Sequence, residues 1–211
     1  MRRAPSHRLE QKQGSDMATQ QIERPQSAEG RRQENGVLDG GQALSAEEFK
    51  RAFREHPAGV ALVTADAGDG PVALTATSVF SVSAEPPLLV FSLSDQSSAS
   101  STINNADTLI VHLLSSGQLG LAKLGATSGV DRFADRASWS RLETGEPYFP
   151  AARTWIRGRV LNRLRAGTST VVVVHALHAE LPEPTETPAG ATPLVYVGRT
   201  WHALGEPSRI E

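Results

Sequence analysis

The stretch Thr75–Ser94, TATSVFSVSAEPPLLVFSLS, decides how this chain folds. Up to Ser83 it crowds small hydroxylated residues, and after Pro86–Pro87 it becomes an apolar run with the composition of a strand. Hydroxyls and backbone N–H groups beside a β-scaffold suit a polar, planar ligand that carries a phosphate. A Thr/Ser-rich strand and turn solvated at a sheet edge would have the same composition, so the stretch alone leaves both readings open.

Toward the N-terminus, Gly59–Ala65 (GVALVTA) and Val72–Ser78 (VALTATS) flank the turn cluster Asp66–Pro71, which predicts a hairpin. Before it, Ser45-Ala-Glu-Glu48 has the spacing of a capping box. Phe49, Ala52 and Phe53 then form an i, i+3, i+4 stripe, and Pro57 and Gly59 stop the helix. Residues 1–44 contain no aromatic side chain and are rich in Gln, Glu, Arg, Ser and Gly. Such a composition buries too little apolar surface to offset the entropy of ordering, so this segment is predicted to be a disordered tail, with Met17 a second candidate initiator.

Toward the C-terminus, strands are predicted at Leu88–Ser94, Thr108–Leu114, Thr154–Arg165, Thr168–Glu180 and Pro193–Gly198. Short helices are predicted near Thr102–Ala106 and Ser116–Leu124, an irregular excursion over Asp131–Pro150, and a polar Pro-rich loop over Leu181–Thr192. Many β-runs and few helices argue for a mainly β barrel dressed with short peripheral helices. In the strand 154–165, Ile156, Val160 and Leu164 alternate with Arg157, Arg159, Arg163 and Arg165. The arginine row reads most simply as a solvated strand face, with phosphate or partner binding as the sharper alternative.

Composition removes several classes of function. The 211-residue chain has a formal net charge of -2, which gives no footprint for nucleic acid or an anionic membrane. It has no cysteine, hence no disulfide, Cys-ligated zinc, iron–sulfur cluster or thiol chemistry. No apolar run approaches the length of a membrane span, and the basic start lacks the apolar core of a secretory signal, so a cytoplasmic protein is expected. No metal site is expected either: His175 and His178 fall on opposite faces of a regular strand, and His112 in its apolar strand reads as a satisfied core histidine.

The segment Ser92–Thr102 (SLSDQSSASST) holds six serines and one threonine, with no Lys or Arg. If Ser100 or Ser101 caps the next helical turn, its N–H groups form a phosphate site without a cation; a serine loop that merely caps a helix is the plainer alternative.

HPAGVALVT (56–64), TATSVFSVSAEPPLLVFSL (75–93), the serine cluster, DRFA (131–134), TGEP (144–147) and PLVY (193–196) share their order with one family. Over Phe49–Trp201 the chain resembles the flavin reductase-like family, the small FMN-binding split-barrel reductases that serve two-component monooxygenases. The resemblance implies a split β-barrel over residues 45–205 with a short tail at 206–211. It implies a homodimer that binds FMN, or FAD, takes electrons from NADH or NADPH and supplies reduced flavin to a separate monooxygenase. It implies that Thr75, Ala76, Thr77 and Ser78 run along the isoalloxazine. Asp95, Gln96, Ser97, Ser98, Ala99 and Ser100 would wrap the ribityl phosphate, with Ser97 and Ser98 as hydroxyl donors. Arg132 and Phe133 would close over the flavin or its phosphate, although Phe133 also reads as a core aromatic. One departure stands out. Where many members carry Gly-Asp-His near the nicotinamide, this chain has Gly167-Thr168-Ser169, which puts Ser169 at the histidine's place. A hydroxyl cannot supply an imidazole's charge. That substitution motivates the alternative of a non-catalytic flavin carrier or sensor.

Overall fold

The computed structural model describes residues 43–182 and 192–210; most of the predicted tail and of the Pro-rich loop lies outside them. The described chain opens with α1 (Ala46–Arg54), capped by Ser45, whose hydroxyl accepts from Glu48 N–H while Glu48 reaches back to Ser45 N–H at 2.9 Å. The predicted capping box is therefore present. Strands β1 (Ala58–Gly59), β2 (Ala61–Ala65), β3 (Val72–Ala76), β4 (Phe80–Ala84) and β5 (Pro87–Ser94) follow. Next come α2 (Ser100–Asn105), β6 (Thr108–Leu113), a 3-10 turn at Ser116–Gln118 and α3 (Leu119–Ala126). Two-residue strands β7 (Ser140–Arg141) and β8 (Pro147–Tyr148) punctuate the irregular excursion. The long β9 (Trp155–Ala166) and β10 (Ser169–Glu180) precede β11 (Leu194–Val197) and β12 (Thr200–Ala203), and a 3-10 turn at Glu206–Ser208 is the last described element.

Seven strands form one antiparallel sheet in the order β3-β2-β6-β9-β10-β5-β4. Its two edges, β3 and β4, are consecutive in the chain, separated by residues 77–79 alone. Laid flat, seven strands would hold their outer edges roughly 29 Å apart. Four Cα steps from Ala76 to Phe80 span at most about 14 Å. The sheet must therefore roll until its edges approach, yet β3 and β4 are not hydrogen-bonded to each other. This is a barrel split along one seam.

The interior is filled by Val63, Leu74, Leu89, Phe91, Leu93, Ile103, Leu109, Val111, Val172 and Val174. A second core lies on the other face of β2, where Val60, Leu62 and Ala73 meet Ala122, Phe133, Phe149 and Leu194. Every residue of β2 is buried, because odd positions enter one core and even positions the other; this is why GVALVTA reads as an unbroken apolar run. Among its neighbours, His112 Nδ1–H donates to Leu62 C=O at 2.9 Å and Nε2 accepts from Phe149 N–H at 3.1 Å. Burial pushes its pKa down to about 4, against the backbone bond to Leu62. It is a satisfied core histidine.

Two departures from simple alternation matter. In β10, Leu177 is a bulge between Ala176 and His178, so His175 and His178, opposite Arg159 and Arg157, share a face and do not lie on opposite ones as expected. The other is in β9. Opposite Val173 and Val174 stand Asn162 and Val160, so Leu161 is a bulge and the faces of β9 exchange beyond it. Leu164, expected beside Ile156 and Val160, is 47% exposed, whereas Arg163 turns inward and donates to the carbonyls of Ile103 and Ala106 at the end of α2. The arginine row is thus not one solvated face. Arg157 pairs with Glu146 at 2.7 Å and Arg165 with Asp95 at 3.1 Å. The strands β4 and β12 were not anticipated; β12 pairs with β11, which also pairs with β1.

The excursion is pinned to the barrel by buried polar contacts. Thr64 Oγ1 donates to Pro147 C=O, and Glu146 accepts from Arg157 and Thr144. Burial raises the Glu146 pKa, but hydrogen bonds from Arg157, Thr108 and Thr144 outweigh it and hold the carboxyl at about 2. A carboxylate depressed from 4.5 stabilises the fold fully above 4.5 and loses that contribution as pH falls toward about 2. Glu146→Gln should lower stability at pH 7 by about 3 kcal/mol, because it leaves the half-buried Arg157 without its counter-charge. Denaturant titrations at several pH values should also show that the variant loses the pH dependence between 4.5 and 2; a parallel curve would contradict this role.

Candidate functional site at the barrel seam

The seam opens into a cleft of about 870 Å³. One wall is the connection Thr77–Phe80, and the facing wall is made by α1 and the β11–β12 turn. Helix α1 buries none of its residues. Its predicted apolar stripe is instead turned to the cleft, where Phe49 and Phe53 stack with centroids 4.8 Å apart. Phe80 adds a ring 61% exposed on the opposite side.

The four residues expected along a planar ligand differ in what they have free. Thr75 Oγ1 donates to Ala122 C=O at 2.7 Å, so its hydroxyl holds α3 against β3. Gly125 of α3 sits so close that a Cβ there would collide with Leu62 and Thr75, which is why a glycine occupies the contact. Ala76 is buried at the end of β3. Thr77 is exposed and its hydroxyl has no partner among the described residues. Ser78 Oγ accepts from Ser92 N–H at 2.9 Å and donates to Ser92 C=O at 3.2 Å, standing in for a strand neighbour where β4 has not yet begun. Of the four, only Thr77 and Ser78 line the cleft.

The serine turn begins beyond Ser92, about 10 Å further along β5 at Asp95. Ser97 N–H donates to Ser94 C=O at 3.0 Å, and Ser97 Oγ accepts from Ala99 N–H at 3.3 Å. Ser100 is buried and its hydroxyl accepts from Asn104 at 3.3 Å. Gln96 is exposed and Ala99 buried. The expected serine cap is absent: Ala99 takes the N-cap position without a side-chain bond, and Ser100 and Ser101 lie inside the helix. Nor is the turn without a cation. Arg132 comes from the excursion to donate to Ser98 Oγ at 3.4 Å and to Thr127 C=O at 2.7 Å, while its buried Nε has no partner. An unpartnered guanidinium N–H and the Ser98 hydroxyl, which accepts from Arg132 and can still donate, are the donor pair an anionic oxygen would complete.

Phe133 points the other way. It is 5% exposed and packs between Trp139, at 5.0 Å, and Phe149, at 5.4 Å. Its ring is a core aromatic, and Asp131 accepts its N–H at 2.9 Å to aim Arg132 outward. Ser169 pairs with Ser94 across the ladder, and the neighbouring Asp95 N–H donates to Thr168 C=O at 3.0 Å, so the substituted position lies directly beside the serine turn. Among the described residues no cluster of His, Asp or Glu could hold a metal ion. Sequence reasoning missed Phe53, Arg54, Phe80 and Arg199 of the cleft, because nothing in their local patterns marks the seam.

The rolled sheet thus carries a cleft without acidic side chains at its seam and, at the serine turn, a guanidinium–hydroxyl pair, both chemically suited to an anionic group. The family model for the flavin reductase like domain matches residues 53–205, and the chain belongs to that family. It is 41% identical over 155 residues to an NADH:FMN oxidoreductase of Rhodococcus qingshengii, covering 72% of this chain and 79% of that protein. Among solved structures, the flavin reductase domain protein of Arthrobacter sp. FB24 is 31% identical with a TM-score of 0.69, covering 75% of this chain and 95% of that one. BorF, the flavin reductase component of a bacterial two-component tryptophan halogenase, is 26% identical with a TM-score of 0.67, covering 77% and 99%.

If Thr75 serves α3 through its hydroxyl, Thr75→Val should lower stability by about 1 kcal/mol, the net worth of one hydrogen bond. Thermal unfolding would register that loss, and an unchanged midpoint would show the bond to Ala122 to be idle.

Proposed function

We propose that this protein is a flavin reductase that oxidises NADH, reduces FMN and releases the reduced flavin to a separate monooxygenase. The observation that carries the reading is the unpartnered Nε of Arg132, whose guanidinium donates through Nη1 to Ser98 in a serine turn that starts about 10 Å along β5 from Ser92, the residue bonded to Ser78 of the acid-free cleft. The donor set fits FMN: a cation and a hydroxyl for one phosphate, an exposed Thr77 hydroxyl for a polar ring edge, and a cleft roomy enough for two planar rings. The 41% identity to an NADH:FMN oxidoreductase supports FMN over FAD and NADH over NADPH.

The chemistry that bound FMN supplies is acceptance of a hydride from reduced nicotinamide. This chain's residues have three tasks. Arg132 and Ser98, with Ser97 and the turn from Asp95 through Gln96, Ala99 and Ser100, anchor the phosphate. Thr77 and Ser78, with the backbone of Thr75 and Ala76 behind them, fix the polar edge of the ring at the seam. Phe80, on the wall opposite α1, limits water around the two rings. No side chain needs to act as nucleophile, and Ser169 leaves orientation without an imidazole. In that position a carrier or sensor role would show as binding without turnover.

The working domain is residues 45–205, with 206–211 as a short tail, acting in the cytoplasm; among the described residues no helix is long and apolar enough to cross a membrane. The working form is a homodimer. Leu161 and Leu164 on β9 and Leu177 on the adjoining β10 are exposed, and a second copy is the occupant that such apolar residues on neighbouring strands favour. Leu164→Glu should halve the mass measured by light scattering; an unchanged mass would place the dimer elsewhere.

The main test follows loss of NADH absorbance with FMN and with riboflavin. Arg132→Ala should raise KM for FMN about ten- to a hundredfold, as expected for a charge-assisted hydrogen bond worth ~1.5–3 kcal/mol, and change KM for phosphate-free riboflavin far less. Absence of NADH oxidation with either flavin, alongside tight FMN binding, would leave the carrier reading. In the active enzyme Ser169→His should raise turnover if this position faces the nicotinamide; unchanged kcat would take it out of the site.

A further inference from the structure

The far wall of the cleft carries a charge that one flavin phosphate does not use. Lys50, Arg54 and Arg199 line the cleft and no acidic residue does, in a chain whose net charge is -2. Lys50 is paired with Glu47 at 2.9 Å. Arg54 and Arg199 have no side-chain partner among the described residues. They come from the last turn of α1 and from the β11–β12 turn, and Gly198 N–H donates to Arg54 C=O at 2.8 Å, which ties the two elements together.

The β11–β12 turn adds a second observation. Gly198 and Arg199 have φ of 57° and 63°, the signature of a two-residue primed hairpin turn. Arg199 is the only non-glycine residue with positive φ among those described. Its Cβ makes that backbone unfavourable, where glycine would adopt it freely. An arginine held in that unfavourable backbone at the lining of a cleft, with its guanidinium unpaired, points to a use for the side chain.

We propose that Arg54 and Arg199 form the subsite for the pyrophosphate of the nicotinamide dinucleotide donor, apart from the Ser98–Arg132 seat. The proposal rests on the reductase reading above. FMN has one phosphate, and Ser98 and Arg132 provide for it, so a second pair of free guanidiniums answers a second anion. Two arginines match the forked oxygens of a diphosphate better than a lysine would. The exposed Phe49–Phe53 pair beside Arg54 offers a stacking surface for the purine.

Arg199→Gly removes the guanidinium and relieves the backbone at once, so a fall in function cannot be ascribed to a damaged fold. Thermal unfolding should give a midpoint equal to or above that of the wild type. ADP-ribose titrated into flavin-free protein by calorimetry should bind the variant about tenfold more weakly, the scale of one charge-assisted contact. In turnover, KM for NADH should rise about tenfold with kcat retained, and added salt should weaken NADH use by the wild type more than by the variant. With N-benzyl-1,4-dihydronicotinamide, a donor without phosphate, the variant's KM should not follow that rise. Equal ADP-ribose affinity in the two proteins, no ADP-ribose binding to the wild type, or a parallel rise for both donors would overturn the subsite. Failure of either donor to reduce FMN would sink the reductase reading, and the ADP-ribose titration would still decide Arg199.

Discussion

A connection of three residues, 77–79, between the two edges of a seven-stranded sheet is the constraint from which the rest of the molecule follows. It rolls the sheet and brings β3 toward β4, which are not hydrogen-bonded to each other. An open seam exposes backbone polar groups and apolar edges together, a hazard in a bare sheet edge. Here the hazard is managed by local chemistry. Ser78 supplies a hydroxyl to both the N–H and the C=O of Ser92, replacing the ladder bonds that an absent strand residue would have made. Small hydroxylated side chains crowd the stretch because the seam needs hydrogen-bonding capacity without bulk.

The same constraint explains why the site is assembled from distant parts of the chain. Residues 77–80 form one wall, and α1, before the barrel, and the β11–β12 turn, after it, form the other. Arg132 reaches the serine turn only because the long excursion is fixed elsewhere, by Thr64 on Pro147 and by the Glu146–Arg157 pair. Rigidity of the excursion is thereby converted into placement of one guanidinium. Positioning of this kind suits chemistry whose barrier is lowered mainly by orienting two rings.

Much of this was legible in the sequence, and the failures have physical causes. The capping box at Ser45, the doubly buried β2 and the core role of His112 are local properties of the residues concerned, and all are present. The arginine alternation on β9 failed at Leu161, since a single bulge exchanges faces and no residue pattern announces it. Strand β4 was hidden because FSVSA, an edge strand exposed almost throughout, has no buried face to impose a period. Within the site, the serine turn could be read but its cation could not. Arg132 and Ser98 are 34 residues apart, and only the folded excursion brings them together. Phe133 shows the converse: the motif drew attention to a pair, whereas the fold turns one member into the core and the other outward.

The ionisable groups pushed furthest from their ordinary behaviour, His112 and Glu146, both lie outside the cleft lining and are spoken for by hydrogen bonds. His112 uses one ring nitrogen to donate and the other to accept; Glu146 is held by Arg157 and Thr144. Strong electrostatic perturbation in this protein therefore maintains architecture and is not invested in a reactive acid or base. At the seam, what the chain contributes is fixed dipoles, hydroxyls and guanidiniums aimed into a cleft without carboxylates. Hydride transfer moves two electrons with its proton between two bound rings, so it asks the protein for alignment and for neutralised phosphates more than for proton relays. An arrangement that spends its buried ionisable groups on scaffolding and leaves Arg54 and Arg199 free at the cleft is consistent with that demand.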